Sequence, residues 1–236
     1  MKMYINGSWV DKSETMPVLN PFDQSIIDVV PKANASDVDI AIGSAVRGAK
    51  AMDKLTSHDR YLILRKTADL LAERSEDLAR TITLEEGKVI AEGRTEVQRA
   101  IQTISGSSEE AKRLHGETVP LDAAPGNVNQ FGFTIRVPVG VVAAIAPFNF
   151  PLNLVCHKVG PALAAGNSVV LKPAGDTPLS AIKLTEILLE AGLPTEAIQC
   201  VTGSGGEIGD AITGASRVRK LAFTGSIELG GRISPT

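Results

Sequence analysis

The sequence predicts an α/β domain whose core is a parallel, doubly wound sheet, and three observations carry that expectation. From Val139 onward, short apolar runs alternate with helix-length segments with little slack between them, the pattern of right-handed strand–helix–strand crossovers. The run VGVVAAIA over residues 139–146 is unbroken in its apolar character, which suits a strand buried on both faces. Each such run ends in glycine, proline, hydroxyl or lysine residues, and the carboxyl ends of parallel strands are where ligands bind.

The elements follow in order along the chain. Residues 3–10 alternate around Asn6 and Gly7, a hairpin signal, and form a short edge strand pair. Ser36 and Asp37 stand as caps before an amphipathic helix that carries Val38, Ile40, Ala41, Ala45 and Ala49 near one stripe. A second helical region spans residues 58–86, with Leu64, Ala68, Leu71, Leu78 and Ile82 at helical spacing and Gly87 as its stop. A third, more polar and partly exposed, covers residues 92–114, and none of these helices shows a reaction centre. Residues 115–138 are rich in turns at Gly116, Pro120, Pro125 and Gly126 and end in FGFTIRVP, which reads as an alternating strand. This segment fits either a flap that contacts another subunit or a plain surface hairpin. Strands are then expected at 139–146, 168–172, 198–201 and 220–223, with helices starting near Pro151, Pro178 and Gly206.

Composition narrows the function classes. With 236 residues, 43% of them hydrophobic and 22% charged, the chain can bury a sizeable core as one large domain or two small ones. A net charge of −3 offers no electrostatic attraction for nucleic acid or an anionic membrane. The apolar runs are too short to span a bilayer, and MKMYINGSWVDKS has no apolar core of a secretory signal, so a cytoplasmic location is expected. The two cysteines, Cys156 and Cys200, have no ligand-spaced partner beyond the adjacent His157, so no metal site is expected.

The chemistry-bearing residues cluster at the strand ends. Asn149 is a polar amide between Pro147 and Pro151 at the end of the buried run, where two prolines prevent the ladder from continuing. After SVVL comes Lys172, placed either to reach ribose hydroxyls and phosphate or simply to be solvated. Gly203-Ser204-Gly205-Gly206-Glu207-Ile208-Gly209 opens a helix whose amides suit a phosphate, although its G-x-G-x-x-x-G spacing is one residue longer than the dinucleotide fingerprint. Thr224-Gly225-Ser226 again precedes a helix, and Ser226 serves equally well as an N-cap. A GxSxG hydrolase elbow and a GK[ST] phosphate loop are both absent.

In that order, PFNFP, NSVVLKPA, GSGGEIG and LAFTGS, together with MYINGSWVD and EEGK nearer the N-terminus, make the chain resemble the aldehyde dehydrogenase superfamily over essentially its whole length. The branch suggested by PFNFPLNL, with Phe148 in place of the common tryptophan, acts on lactaldehyde-like, phosphorylated or semialdehyde substrates. The resemblance implies a Rossmann-like doubly wound parallel sheet with N-terminal helices and a β-hairpin oligomerisation flap. It divides the chain into an N-terminal hairpin and helices over 1–115, oligomerisation-type strands over 116–138, and Rossmann-like βα units over 139–236. It further implies NAD or NADP as cofactor, a small aldehyde as substrate, oxidation to the carboxylic acid, and a homo-oligomer with no nucleic-acid or membrane partner.

The same resemblance assigns residues. Asn149 is similar to the oxyanion-hole asparagine, a donor whose loss costs about 2.7–4 kcal/mol of transition-state stabilisation in comparable sites. Lys172 corresponds to the adenosine-ribose lysine, Gly205 and Gly209 to the glycine turn by the adenine, and Gly225 with Ser226 to the pyrophosphate contact. Ile145, Ala146 and Phe148 are expected to line the cofactor cleft through backbone and shape. Where many NAD-preferring members carry a glutamate three residues after that lysine, this chain has Gly175, which implies tolerance of NADP. The family's nucleophilic cysteine and general-base glutamate lie beyond FTGS, and this chain has ten residues after Ser226. Cys156 and Cys200 fall inside expected core elements, and Glu228 follows FTGS too closely, so the reading is of a truncated cofactor-binding part with an incomplete sheet, inactive by itself. The alternative is a non-catalytic protein that binds a dinucleotide or associates with a partner subunit.

Overall fold

The computed structural model describes residues 1–234. Its main sheet has six strands, β1 (Met3–Ile5), β2 (Ser8–Val10), β7 (Val141–Ile145), β8 (Ser168–Lys172), β9 (Ile198–Cys200) and β10 (Val218–Phe223). They lie in the order β10-β7-β8-β9-β1-β2. The four strands from β10 to β9 are parallel, while β1 runs antiparallel to β9 and to β2. The sheet is therefore mostly, not wholly, parallel. Asn6 and Gly7 both take positive φ, 54° and 75°, as the hairpin turn between β1 and β2 requires.

The pleat explains the apolar runs. Val141, Ala143 and Val170 face α1 (Ala35–Asp53) and α7 (Gly205–Thr213) in one core, with Ile42, Ile208 and Ile212. Val142, Ala144, Val169 and Leu171 face the opposite core. That layer contains α2 (Ser57–Glu73), α3 (Ser75–Glu86), α4 (Ile90–Ala111), α5 (Asn153–Ala164) and α6 (Leu179–Glu190). With helices on both faces, neither side of these strands alternates with polar residues, and the sheet is doubly wound as expected.

Several boundaries differ from the sequence reading for local physical reasons. The cap of α1 is Asn34, not Ser36: its side chain accepts from Asp37 N at 3.1 Å and Asp37 Oδ2 accepts from Asn34 N at 2.8 Å, a reciprocal capping box. The single helix expected over 58–86 breaks at Arg74, whose backbone leaves the helical region and whose guanidinium pairs with Glu190. Gly87 ends α3 at φ 88°, in the left-handed conformation that glycine adopts without penalty. Helix α4 is partly exposed, as expected, and on its buried face Ser107 and Ser108 turn their hydroxyls back to Thr103 O and Ser105 O.

Two features lay outside the strand expectations. Residues Thr15–Leu19 (β3) and Ile26–Pro31 (β4) pair as a separate antiparallel ribbon that the sequence reading missed. The FGFTIRVP segment is not a continuous strand: only Gly132–Phe133 (β6) pairs, with Thr118–Val119 (β5), leaving Phe131, Phe133, Ile135 and Val137 exposed. The helix after Pro151 starts two residues later, at Asn153. Among the described residues no helix is long and apolar enough to cross a membrane.

Candidate active site

The carboxyl ends of β7, β8 and β10 open onto one cavity of about 170 Å³. Ile145 from β7, Lys172 from β8, Phe223 from β10, and Gly205 and Gly209 from α7 all line it. Thus four of the sequence-assigned positions, Ile145, Lys172, Gly205 and Gly209, meet at a single place although 64 positions separate the first from the last.

Lys172 is not solvated; it is only 6% exposed. Its ammonium donates to Pro173 O at 3.1 Å, burial pulls its pKa down, and Asp176 opposes that shift. A cation with one neutral acceptor retains unused donors, and an anionic or hydroxyl-rich ligand is the natural complement.

The glycines of α7 have no conformational or packing requirement within the protein. A Cβ built at Gly205, Gly206 or Gly209 meets nothing within 4 Å, and none of the three has positive φ. Gly203 is different: its φ of 157° and the nearness of Ala33 are reason enough for glycine. Helical glycine is less stable than alanine, so three glycines facing open space leave a surface where something else can approach the backbone amides.

The turn of β10 into α8 (Ile227–Ile233) flanks the cavity through Phe223 and Leu229. Gly225 lies against the Phe223 ring, which an added Cβ would approach to 2.5 Å, and Ser226 Oγ caps the helix by accepting from Leu229 N at 3.2 Å. Neither residue lines the cavity itself. Glu228 is exposed on α8.

On the other side of β7 the chain passes through Ala146, buried, and Phe148, 58% exposed, to Asn149. The backbone of this turn is held at almost every residue. Phe148 O accepts from Thr177 Oγ1 at 3.3 Å, Phe150 O accepts from Leu154 N at 3.1 Å, and Glu96 Oε1 accepts from Leu152 N and Asn153 N at 2.9 and 3.0 Å. Asn149 O accepts from Lys88 Nζ, which also pairs with Glu96 Oε2 at 2.7 Å and sits 3.7 Å over the Phe150 ring. The Asn149 side chain is exposed, and its amide has no hydrogen bond among the described residues.

Lys88, Glu96 and Glu85 are the residues that sequence reasoning missed as contributors here. EEGK, read as a family resemblance, contains Glu85 and Lys88 but not Glu96, because a contact from α4 to a turn some fifty residues later leaves no local pattern. Glu85 does for α6 what Glu96 does for α5, accepting from Leu179 N at 2.6 Å and from Ser180 N at 2.9 Å. The two cysteines are fully buried; burial raises the pKa of both thiols, that of Cys200 to about 12. A thiolate is disfavoured at either position.

Comparison with known proteins gives a consistent result. The sequence profile described as "Aldehyde dehydrogenase family" matches residues 9–236. A 3-sulfolactaldehyde dehydrogenase of Priestia aryabhattai is 50% identical over 228 residues, covering 97% of this chain and 47% of that protein. A succinate-semialdehyde dehydrogenase [NADP(+)] of Escherichia coli is 42% identical over 231 residues, 97% of this chain and 47% of its own length. Among solved structures, an NADP-dependent glyceraldehyde-3-phosphate dehydrogenase from Bacillus halodurans complexed with NADP superposes with a TM-score of 0.96 at 37% identity, over 99% of this chain and 50% of that one. The chain spans about half the length of the relatives it matches.

Proposed function

Because this chain belongs to the aldehyde dehydrogenase family, we propose that it forms the dinucleotide-binding wall and the oxyanion donor of an enzyme that oxidises an aldehyde to a carboxylic acid with NAD or NADP. The observation that carries the reading is the side-by-side placement, at the carboxyl end of β7, of a glycine-lined cavity with a buried lysine and an asparagine whose backbone is tied while its amide is free. A bound nicotinamide would supply the hydride acceptor for the substrate carbon.

The chain's own groups then have defined tasks. Lys172 donates its unused ammonium protons to ribose hydroxyls, and the amides of α7 and of the Gly225–Ser226 turn face the phosphates. Ile145, Ala146 and Phe148 shape the cleft between the two halves of the site. Asn149 Nδ2 donates to the aldehyde oxygen as negative charge develops there, and because its backbone is already fixed, little reorganisation is needed. The nucleophile comes from outside these residues, a reading supported by the burial of Cys156 and Cys200. The pure 236-residue chain therefore binds dinucleotide but turns over no aldehyde; measurable oxidation of a small aldehyde by it would refute this.

The substrate class is a short aldehyde that carries an acidic group, supported by the names of the relatives, which include sulfolactaldehyde, glutarate-semialdehyde and succinate-semialdehyde dehydrogenases. The cofactor preference follows from Gly175: a Cβ there has no neighbour nearer than 4.0 Å, so the position has room and itself bears no carboxylate to repel a 2′-phosphate, although Asp176 is adjacent. NADP is accommodated, and at least tenfold tighter binding of NAD than of NADP would overturn that. The exposed apolar side chains Phe131, Phe133, Ile135 and Val137 support homo-oligomerisation through the flap, which sedimentation of the chain tests directly.

A further inference from the structure

We infer that Lys88 and Glu96 together are positioning residues for Asn149, so that the direction of the asparagine's free amide is set by an ion pair at the start of α4. The importance of that direction rests on the oxyanion reading of Asn149; the coupling itself does not. One ammonium bridges Glu96 Oε2 at 2.7 Å and Asn149 O at 2.5 Å, while the other oxygen of the same carboxylate takes the first two free amides of α5 at 2.9 and 3.0 Å. The side chains of Glu96 and Lys88 are 1% and 12% exposed, so the pair is held in a low-dielectric layer where its geometry is stiff.

The consequence for Asn149 is geometric. A carbonyl anchored at residue 149 fixes the peptide plane between 149 and 150, and the amides anchored at 152 and 153 fix the exit of the turn. Phe148 O, held by Thr177 Oγ1, fixes its entry. The Cα–Cβ bond of Asn149 then has one direction available, and only its own two side-chain torsions stay free. Pro147 and Pro151 bracket the turn without supplying any donor, so the hydrogen bonds that tie it come from other elements. Lys88 contributes by lying over the Phe150 ring as well, which keeps the residue after Asn149 in register.

Nitrogen-15 spectra of the 236-residue chain test this through the Asn149 side-chain NH2 resonance, identified by its loss in Asn149→Asp. Lys88→Met alone leaves Glu96, and Glu86 at 3.9 Å, without their cation, so the informative variant is Lys88→Met combined with Glu96→Gln and Glu86→Gln, which removes all three charges and retains an acceptor for α5. The expected result is a folded chain with dinucleotide affinity within about twofold of wild type, a displaced or broadened Asn149 amide resonance, and recovery of the wild-type signal in Lys88→Arg. A residue that merely stabilised the fold would lower the melting temperature and leave that resonance in place, and this outcome overturns the inference. Should Asn149→Ala leave aldehyde turnover unchanged in the enzyme that contains this chain, the oxyanion reading fails, while a Lys88-dependent amide signal still upholds the coupling.

Discussion

Glu85 Oε1 accepts from both the backbone N–H and the hydroxyl of Ser180, at 2.9 and 2.5 Å, and so ties the end of α3 to the first turn of α6. The loop between Lys172 and that turn therefore has a buried carboxyl anchor at its far end. Burial raises the pKa of this carboxyl from 4.5 to about 7, outweighing the hydrogen bonds from Ser180 and Leu179 that pull it down. A folded-state pKa above the unfolded one means stability that is present in full below about pH 4.5 and is lost as pH rises towards 7. The size of that loss is about 3 kcal/mol. Urea unfolding at a series of pH values should show this decline in the wild type and its absence in Glu85→Gln; parallel profiles for the two proteins would refute the assignment.

Lys172→Met should weaken dinucleotide binding by about 10- to 100-fold, the range for loss of a charged hydrogen bond of about 1.5–3 kcal/mol. Its one hydrogen-bond partner among the described residues is Pro173 O, and its removal relieves a buried, destabilised charge while taking a cation from beside Asp176. Calorimetric titration with NAD and with NADP measures the affinity. An unchanged affinity for both would remove Lys172 from the site.

Gly206→Ala should separate stability from binding. The substitution meets no neighbour within 4 Å, so helix α7 gains about 0.5–1 kcal/mol and the melting temperature rises by about 1–4 °C. Dinucleotide binding should weaken at the same time, because the methyl group projects from the helix into open space beside the cavity. Tighter binding together with higher stability would argue that the surface is not approached by ligand.

A thiol reagent should leave the native chain unmodified for hours and label two groups after denaturation. Both sulfurs are wholly buried, and their raised pKa values leave almost no thiolate at neutral pH. Rapid labelling of Cys156 in the native state would reopen its candidacy as a nucleophile.

Much of this was legible because it is local. The strand at 168–172 was bounded to the residue, since the apolar run Val169–Leu171, buried on both faces by helices, is closed at each end by a polar residue, Ser168 and Lys172. Asn149 was conspicuous for the opposite reason, a lone amide between two prolines. What escaped was carried by long-range contacts. Whether Lys172 is solvated depends on the loop that covers it, and the role of Lys88 depends on a turn that only α4 brings near. The break at Arg74 escaped as well, because the apolar period continues across it while the Arg74 backbone leaves the helical region. The β3–β4 ribbon, with Pro17 and Pro31 in its strands, gave none of the alternation by which edge strands are recognised.

The antiparallel seam between β1 and β9 sets an order of events during synthesis. Tyr4 pairs with Cys200, its hydroxyl donates to Thr195 O, and Asn6 N donates to Gln199 Oε1. At roughly 5–20 residues per second, the amino-terminal strand leaves the ribosome about 10–40 s before the partner on which it closes. The helices α1 to α6 and the strands β7 and β8 have their local partners in the meantime and can assemble without it. Residues 3–5 are thus among the last to settle, and until β9 emerges the edge of β8 that it will cover is open to strands of other chains.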